Sequence, residues 1–287
     1  MIRCLILGSG GAVPTPDRSP AAYWLTIDGR SMLMDPGPGA LLRLIRSLDG
    51  PDSLDDLDTV LLTHLHLDHC ADLPALLFAL RTPITASEQP LQIIGPLGLA
   101  AYLSRLDELF GDWVRPLRRE VLILELAPGE GLVPAAGRAG VWSKTGNPDE
   151  LPAVTAFRAE HSETRFSEVN LGYVFRDEES HTLVFSGDSE PCPELLAAAG
   201  GADLLLVECS IPDEFEAPGH MTPSRVGALC RDAAPSRVVL THLYPACDAL
   251  DLETLVRELW QGDLVRAADG MLLTVPSLPD PTRKDQA

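Results

Sequence analysis

Basic side chains are scarce in this sequence: 22 Lys and Arg stand against 42 Asp and Glu in 287 residues, a formal charge of −20. A field of that sign repels nucleic-acid phosphates and anionic lipid surfaces. It excludes general coating of a polyanion, though not a small local basic cleft. No apolar run approaches 18 residues, so the sequence predicts no membrane span. The opening stretch is too short for a secretory leader and breaks at Gly8. The six cysteines (Cys4, Cys70, Cys192, Cys209, Cys230 and Cys247) form no CxxC pair. They read as reduced thiols of a cytoplasmic protein and not as a disulfide framework. There is no fixed-period repeat and no low-complexity linker.

With 45% apolar residues the chain can bury a large core. Strands are expected at Ile2–Gly8, Ala21–Ile27, Ser31–Met34, Thr59–Thr63, Leu91–Ile94 and Val121–Leu126. Asp28-Gly29 marks a hairpin between the second and third. Further strands are expected at Val154–Ala159, Leu171–Phe175, Leu183–Ser186, Leu204–Glu208, Val238–Thr241 and Met271–Val275. Helical spacing appears at Ala40–Leu48, Leu73–Leu80, Leu97–Phe110, Pro193–Ala199, Pro223–Ala233 and Leu252–Leu259. Ala127–Pro152, rich in Gly and Pro, reads as a surface loop. Two strand-rich halves with intervening helices predict two packed sheets covered by helices, in one domain over 1–275 with a frayed tail at 276–287.

Histidine is rare, seven in all, yet three fall in Thr63-His64-Leu65-His66-Leu67-Asp68-His69. The segment follows a short apolar strand and precedes a helix. In extended backbone, residues two apart point the same way, so His64 and His66 can grip one ion. After the chain turns, Asp68 and His69 can address a second. Imidazole and carboxylate suit zinc and similar divalent metals. Gly8-Ser9-Gly10-Gly11 is not a dinucleotide loop, because Pro14 and Pro16 block the helix that would have to follow.

The pattern His64-x-His66-x-Asp68-His69 resembles the signature of the metallo-β-lactamase superfamily. The resemblance implies an α/β fold, an αββα four-layer sandwich in which two mixed β-sheets are flanked by helices. The rest of its motifs find matches in chain order: Asp35 after Met34, His161 in Ala159-Glu160-His161-Ser162, Asp188 in Ser186-Gly187-Asp188-Ser189, and His242 in Thr241-His242-Leu243. It implies that Asp35 holds the metal loop by hydrogen bonds. It also implies that His64, His66 and His161 take one metal while Asp68, His69 and His242 take the other, with Asp188 bridging. The cofactors implied are two divalent ions, zinc first, with manganese or iron as alternatives. His220, in Gly219-His220-Met221-Thr222 and 22 positions before His242, resembles the second-sphere catalytic histidine of the ribonuclease Z-like branch. The opening Gly8–Arg18 loop resembles that branch too.

The function these residues imply is hydrolysis by a hydroxide bridging two metals. Asp68 would orient the nucleophile and His220 would stabilise the departing oxygen. The expected substrate is a small phosphodiester or a related ester, sulfate ester or lactone. The alternative is tRNA 3′-end processing of the ribonuclease Z type. Against tRNA stand the charge of −20 and the spacing of His161 and Asp188. The branch's tRNA enzymes carry a long basic arm there, and here only 26 residues intervene, with two Arg among five acids. The best basic cluster, Arg115, Arg118 and Arg119, reads as a helix-end surface. A single-iron dioxygenase or a non-hydrolytic binding protein on the same fold is the reading of a different class. The branch often dimerises, so a homodimer is a further expectation. His181 reads as surface.

Overall fold

The computed structural model describes residues 1–83, 85–138, 140–145, 150–167, 169–215 and 218–276. The expected tail beyond Pro276 lies outside them. The first half of the chain supplies β1 (Ile2–Gly8), β2 (Ala22–Ile27), β3 (Arg30–Met34), β4 (Thr59–Leu61), β5 (Leu91–Pro96) and β6 (Val121–Leu126). The second supplies β7 (Gly131–Pro134), β8 (Trp142–Lys144), β9 (Val154–Ala159), β10 (Asn170–Arg176), β11 (Thr182–Phe185), β12 (Leu204–Glu208), β13 (Arg237–Thr241) and β14 (Asp263–Arg266). The last strand, β15 (Leu272–Val275), returns to pair antiparallel with β1. The sheet orders are β15-β1-β2-β3-β4-β5-β6 and β14-β13-β12-β11-β10-β9-β7-β8. Both sheets are mixed. In the first, the pairs from β3 to β6 are parallel; in the second, those from β11 to β14.

Strands buried on both faces read as unbroken apolar runs, and alternation sorts their side chains into separate cores. From β1, Ile2, Cys4 and Ile6 enter the core between the sheets, where they join Tyr23, Tyr173, Phe175 and Leu206. Leu5 and Leu7 point the other way, into a core with Leu44, Leu73, Leu76 and Leu99. Those leucines come from α1 (Ala40–Arg46), α3 (Asp72–Leu80) and α4 (Leu99–Phe110). On the far side, Leu205 and Val207 of β12 pack on Leu195, Val226, Leu229 and Val256, from α5 (Pro193–Ala199), α6 (Pro223–Ala233) and, after the short α7 (Pro245–Asp248), α8 (Leu252–Arg257). This is the expected four-layer order of helices, sheet, sheet, helices. Among the described residues no helix is long and apolar enough to cross a membrane.

The departures from expectation are short elements and edges. Within the supposed loop Ala127–Pro152 the backbone forms the β7–β8 ladder, Leu132 opposite Lys144. α4 begins at Leu99 and not at Leu97, because β5 continues through Pro96. Gly98 then adopts a left-handed φ of 103° ahead of the helix, and Glu125 accepts the Gly98 and Ala100 amides. Arg119 is no surface cation. It is 5% exposed and donates to the Gln89 carbonyl and to Asp58. His181 is partly buried against the buried Asp177. The cysteines are all free, and five of the six are buried.

At one end of the sandwich the sheets are tied together. Tyr173 donates to the Leu62 carbonyl (2.7 Å), Tyr23 bonds to Thr241 (2.9 Å), and the Leu171 amide reaches the Thr63 carbonyl. The carboxyl ends of β3, β4, β9, β11, β12 and β13 open on this same end, where α/β sheets carry their sites.

Candidate metal centre

The chain leaves β4 extended through His66 and then turns into a single helical turn, α2 (Leu67–Cys70). His64 and His66 therefore lie on one side of the segment, and Asp68 and His69 on the turn beyond them. Gly37 allows this turn to sit close: a Cβ there would lie 2.0 Å from the Asp68 carbonyl oxygen and 2.6 Å from that of Ala21. Asp35 and His242, each just past a strand, adopt left-handed backbone (φ 48° and 55°). For residues with a Cβ such backbone carries strain and clusters at functional sites.

The structure brings all seven expected ligand side chains together. His64, His66 and His161 present ring nitrogens that lie within 4.8 Å of one another, and Asp68, His69, Asp188 and His242 form a second such group. His66 Nδ1 faces His161 Nε2 at 3.1 Å, and His69 Nε2 faces His242 Nε2 at 3.2 Å. Asp188 Oδ2 sits between the groups, 3.3 Å from His69 and His242 and 3.8 Å from His64 and His161. Asp68 Oδ2 is 3.4 Å from His242 and 3.6 Å from His69.

The outward nitrogens are occupied instead by protein partners. His64 Nδ1 lies 2.9 Å from the Thr63 hydroxyl, His69 Nδ1 lies 3.0 Å from Asp35, and His161 Nδ1 donates to the Gly219 carbonyl at 2.7 Å. His242 Nδ1 lies 2.8 Å from the Ser210 hydroxyl. Asp35 also accepts the Thr63 amide (2.8 Å) and hydroxyl (2.7 Å), so this one carboxylate holds the whole turn.

Whether this set fits cations is answered by His64 Nε2, a buried nitrogen that has no hydrogen-bond partner and is aimed at the cluster. Such an orphan is expensive unless a ligand completes it. Five imidazoles, four of them with the outer nitrogen engaged, and two carboxylates are what divalent metals require of a site. The groups fit two ions.

Electrostatics agree. Burial, reinforced by His69, holds His64 well below the ordinary imidazole range, keeping its lone pair free. Burial and His161 lower His66 likewise. Asp188 is held ionised against its burial by His242 and His69. Asp68, against its burial, is pulled down to about 2 by the neighbouring His242 and His69 imidazoles. His69 stays well above the usual range because Asp188 and Asp35 outweigh its burial.

His220 stands beside the groups, its ring 4.7 Å from that of His161 and stacked 5.9 Å from that of His242. Its Nδ1 is 3.0 Å from Glu208 Oε2. Burial disfavours its charge, yet the Glu208 hydrogen bond and charge raise it to about 9. Glu208 itself is fully buried at the end of β12, where it accepts the Ser189 amide (2.6 Å) and the Ser210 hydroxyl. Glu208 and Ser210 escape sequence reasoning because Glu208 closes an apolar strand and looks like its solvated end. The available signal is the spacing Glu208-x-Ser210 directly after a buried strand.

A family model described as Beta-lactamase superfamily domain matches residues 30–243. The ribonuclease Z of Methanosarcina acetivorans is 29% identical, over 98% of this chain and 100% of its own. That of Pyrobaculum arsenaticum is 31% identical, over 85% and 87%. Among solved structures, the metallo-β-lactamase fold protein YhfI from Bacillus subtilis superposes with a TM-score of 0.73, at 21% identity over 96% of this chain and 100% of that one. The short form of human tRNase Z gives 0.71, at 23% identity over 96% and 99%.

Proposed function

We propose that this chain, which belongs to the metallo-β-lactamase superfamily and to its ribonuclease Z-like branch, cuts phosphodiester bonds at the 3′ side of precursor tRNA. It is a metal-dependent hydrolase. The observation that carries the mechanism is Asp188 Oδ2, equidistant from His69 and His242 and equidistant again from His64 and His161. Support for the RNA substrate comes from relatives named ribonuclease Z that align with the chain nearly end to end.

His64, His66 and His161 would hold one cation and Asp68, His69 and His242 the other, with Asp188 shared. Imidazole and carboxylate donors suit zinc, with manganese or iron able to replace it. Bound there, the cations supply Lewis acidity and lower the pKa of coordinated water from 15.7 to about 7. Asp68, held ionised, accepts a hydrogen bond from the attacking water and so orients it. His220, kept protonated by Glu208, holds a proton beside the groups for the departing oxygen. RNA as substrate accords with the cytoplasmic setting expected from the reduced thiols.

A second reading, hydrolysis of a small phosphodiester, is favoured by one feature. Between His161 and Asp188 the chain is taken up by β10, β11 and the tight turn Asp177–His181, with Glu178 and Glu179 at its tip. No basic arm projects there among the described residues. Protein purified without chelator should carry two ions per chain and should trim a tRNA precursor with a 3′ trailer. Cleavage of bis-(p-nitrophenyl) phosphate or a cyclic nucleotide with the precursor untouched selects the second reading. Activity on neither refutes both.

A further inference from the structure

Two halves of the molecule repeat one arrangement of carboxylate, hydroxyl and imidazoles. In the first, Asp35 Oδ2 accepts the Thr63 hydroxyl at 2.7 Å and lies 3.0 Å from His69 Nδ1, while the same hydroxyl lies 2.9 Å from His64 Nδ1. In the second, Glu208 Oε2 accepts the Ser210 hydroxyl and lies 3.0 Å from His220 Nδ1, while that hydroxyl lies 2.8 Å from His242 Nδ1. The two segments share no sequence pattern, and the second came to light only in three dimensions.

The hydrogen count at Ser210 decides what the arrangement does. A hydroxyl has one proton to give and two lone pairs to receive with. Two oxygens compete for the Ser210 proton: Glu208 Oε2, and the His242 carbonyl at 2.9 Å. The carbonyl is an acceptor only, and so is the carboxylate, ionised while it holds His220. Whichever takes the proton, nothing remains for the imidazole to accept. With the proton on either oxygen His242 Nδ1 is the donor, and in the neutral imidazole its Nε2 is left bare and facing Asp68, His69 and Asp188. The same count applies at Thr63: its proton goes to Asp35, so His64 Nδ1 donates and His64 Nε2 is bare. That nitrogen is the one buried, unpartnered ring nitrogen among the described residues.

We propose that Ser210 is a positioning residue whose hydroxyl, spanning Glu208 and His242, sets the tautomer of His242 as Thr63 sets that of His64. The proposal rests on the reading of His64 and His242 as cation ligands, and it adds a physical link between His242 and His220 through one buried carboxylate. Neutral imidazole in water favours the opposite tautomer, with the proton on Nε2. Without the hydroxyl, part of the His242 population would turn that proton toward the site, and a cation would have to displace it.

The test pairs Ser210→Ala with Ser210→Thr, which keeps a hydroxyl. Zinc affinity is read by competition against a chromogenic chelator, and the tautomer by histidine 15N shifts in the metal-free protein at pH 8. Wild type should bind two zinc ions and show the Nδ1–H pattern for His242. Ser210→Ala should weaken the second ion by about 10- to 100-fold and mix the two tautomers, and Ser210→Thr should restore both readouts. An Nε2–H pattern in wild type, or unchanged zinc affinity in a folded Ser210→Ala, overturns the proposal. Should Ser210→Ala not fold, the wild-type 15N pattern and the Ser210→Thr affinity decide. A wild type that binds no zinc overturns the ligand reading instead, and the 15N pattern still judges the hydroxyl by itself.

Discussion

Replacing Glu208 by Gln preserves the shape of the buried group and removes its charge, so it isolates what that charge does to His220. Burial alone drives the imidazole toward neutrality, and Glu208 holds it at about 9 against an ordinary value of 6.5. At about 1.4 kcal/mol per pH decade this is a net of about 3 kcal/mol in favour of the imidazolium, with Glu208 its chief source and burial opposing it. The folded-state pKa is the raised one. The stabilisation is therefore complete below pH 6.5 and is lost as pH climbs through about 9. In metal-free Glu208→Gln, the His220 Cε1–H resonance should titrate at or below 6.5 in place of about 9. Urea unfolding should show the variant about 3 kcal/mol less stable than wild type at pH 6, with the gap closing toward pH 9.5. With metals restored, the alkaline limit of turnover on bis-(p-nitrophenyl) phosphate should move to lower pH in the variant. Identical His220 midpoints in the two proteins would refute the reasoning, because among the described residues no other carboxylate lies within hydrogen-bonding distance of that ring.

Other substitutions probe the centre more bluntly. Asp188→Ala takes the shared oxygen from both groups, so metal analysis should show both ions lost and turnover down by at least about 1,000-fold; normal occupancy with normal rate would remove Asp188 from its bridging place. His220→Ala should keep both ions while kcat falls by about 100- to 10,000-fold, and unchanged kinetics would make His220 structural. Gly37→Ala puts a methyl group against the Asp68 and Ala21 carbonyls. It should destabilise the fold by about 1–3 kcal/mol and weaken zinc binding measurably, whereas wild-type behaviour in both would mean that the turn can shift away freely.

Much of this was legible in one dimension because burial on both faces writes itself plainly. β1, β12 and β13 are apolar runs bounded by polar residues, and their ends are where His242 and Glu208 emerge. His64, His66, Asp68 and His69 stand out because six positions hold them all. What escaped was short or marginal: β8 has three residues, and β14 has only Leu264 buried, so neither makes a periodic signal. Arg119 and Glu208 were misjudged or missed for one reason. A buried charge is paid for by partners far off in sequence, here Asp58 and His220, and no local pattern announces them. A net charge of −20 does not decide between RNA and a small phosphodiester, since it reports the average surface and not the cleft.

The seven side chains of the proposed metal centre leave the ribosome in a fixed order, His64 first and His242 last, and β15 closes the first sheet only after that. A nascent chain thus exposes four of the seven donors, two from each group, long before His161, Asp188 and His242 exist to finish either. Any ion captured at that stage is held weakly and open to exchange. Selection of the resident metal therefore falls to the finished protein, and to whichever cation is plentiful when synthesis ends.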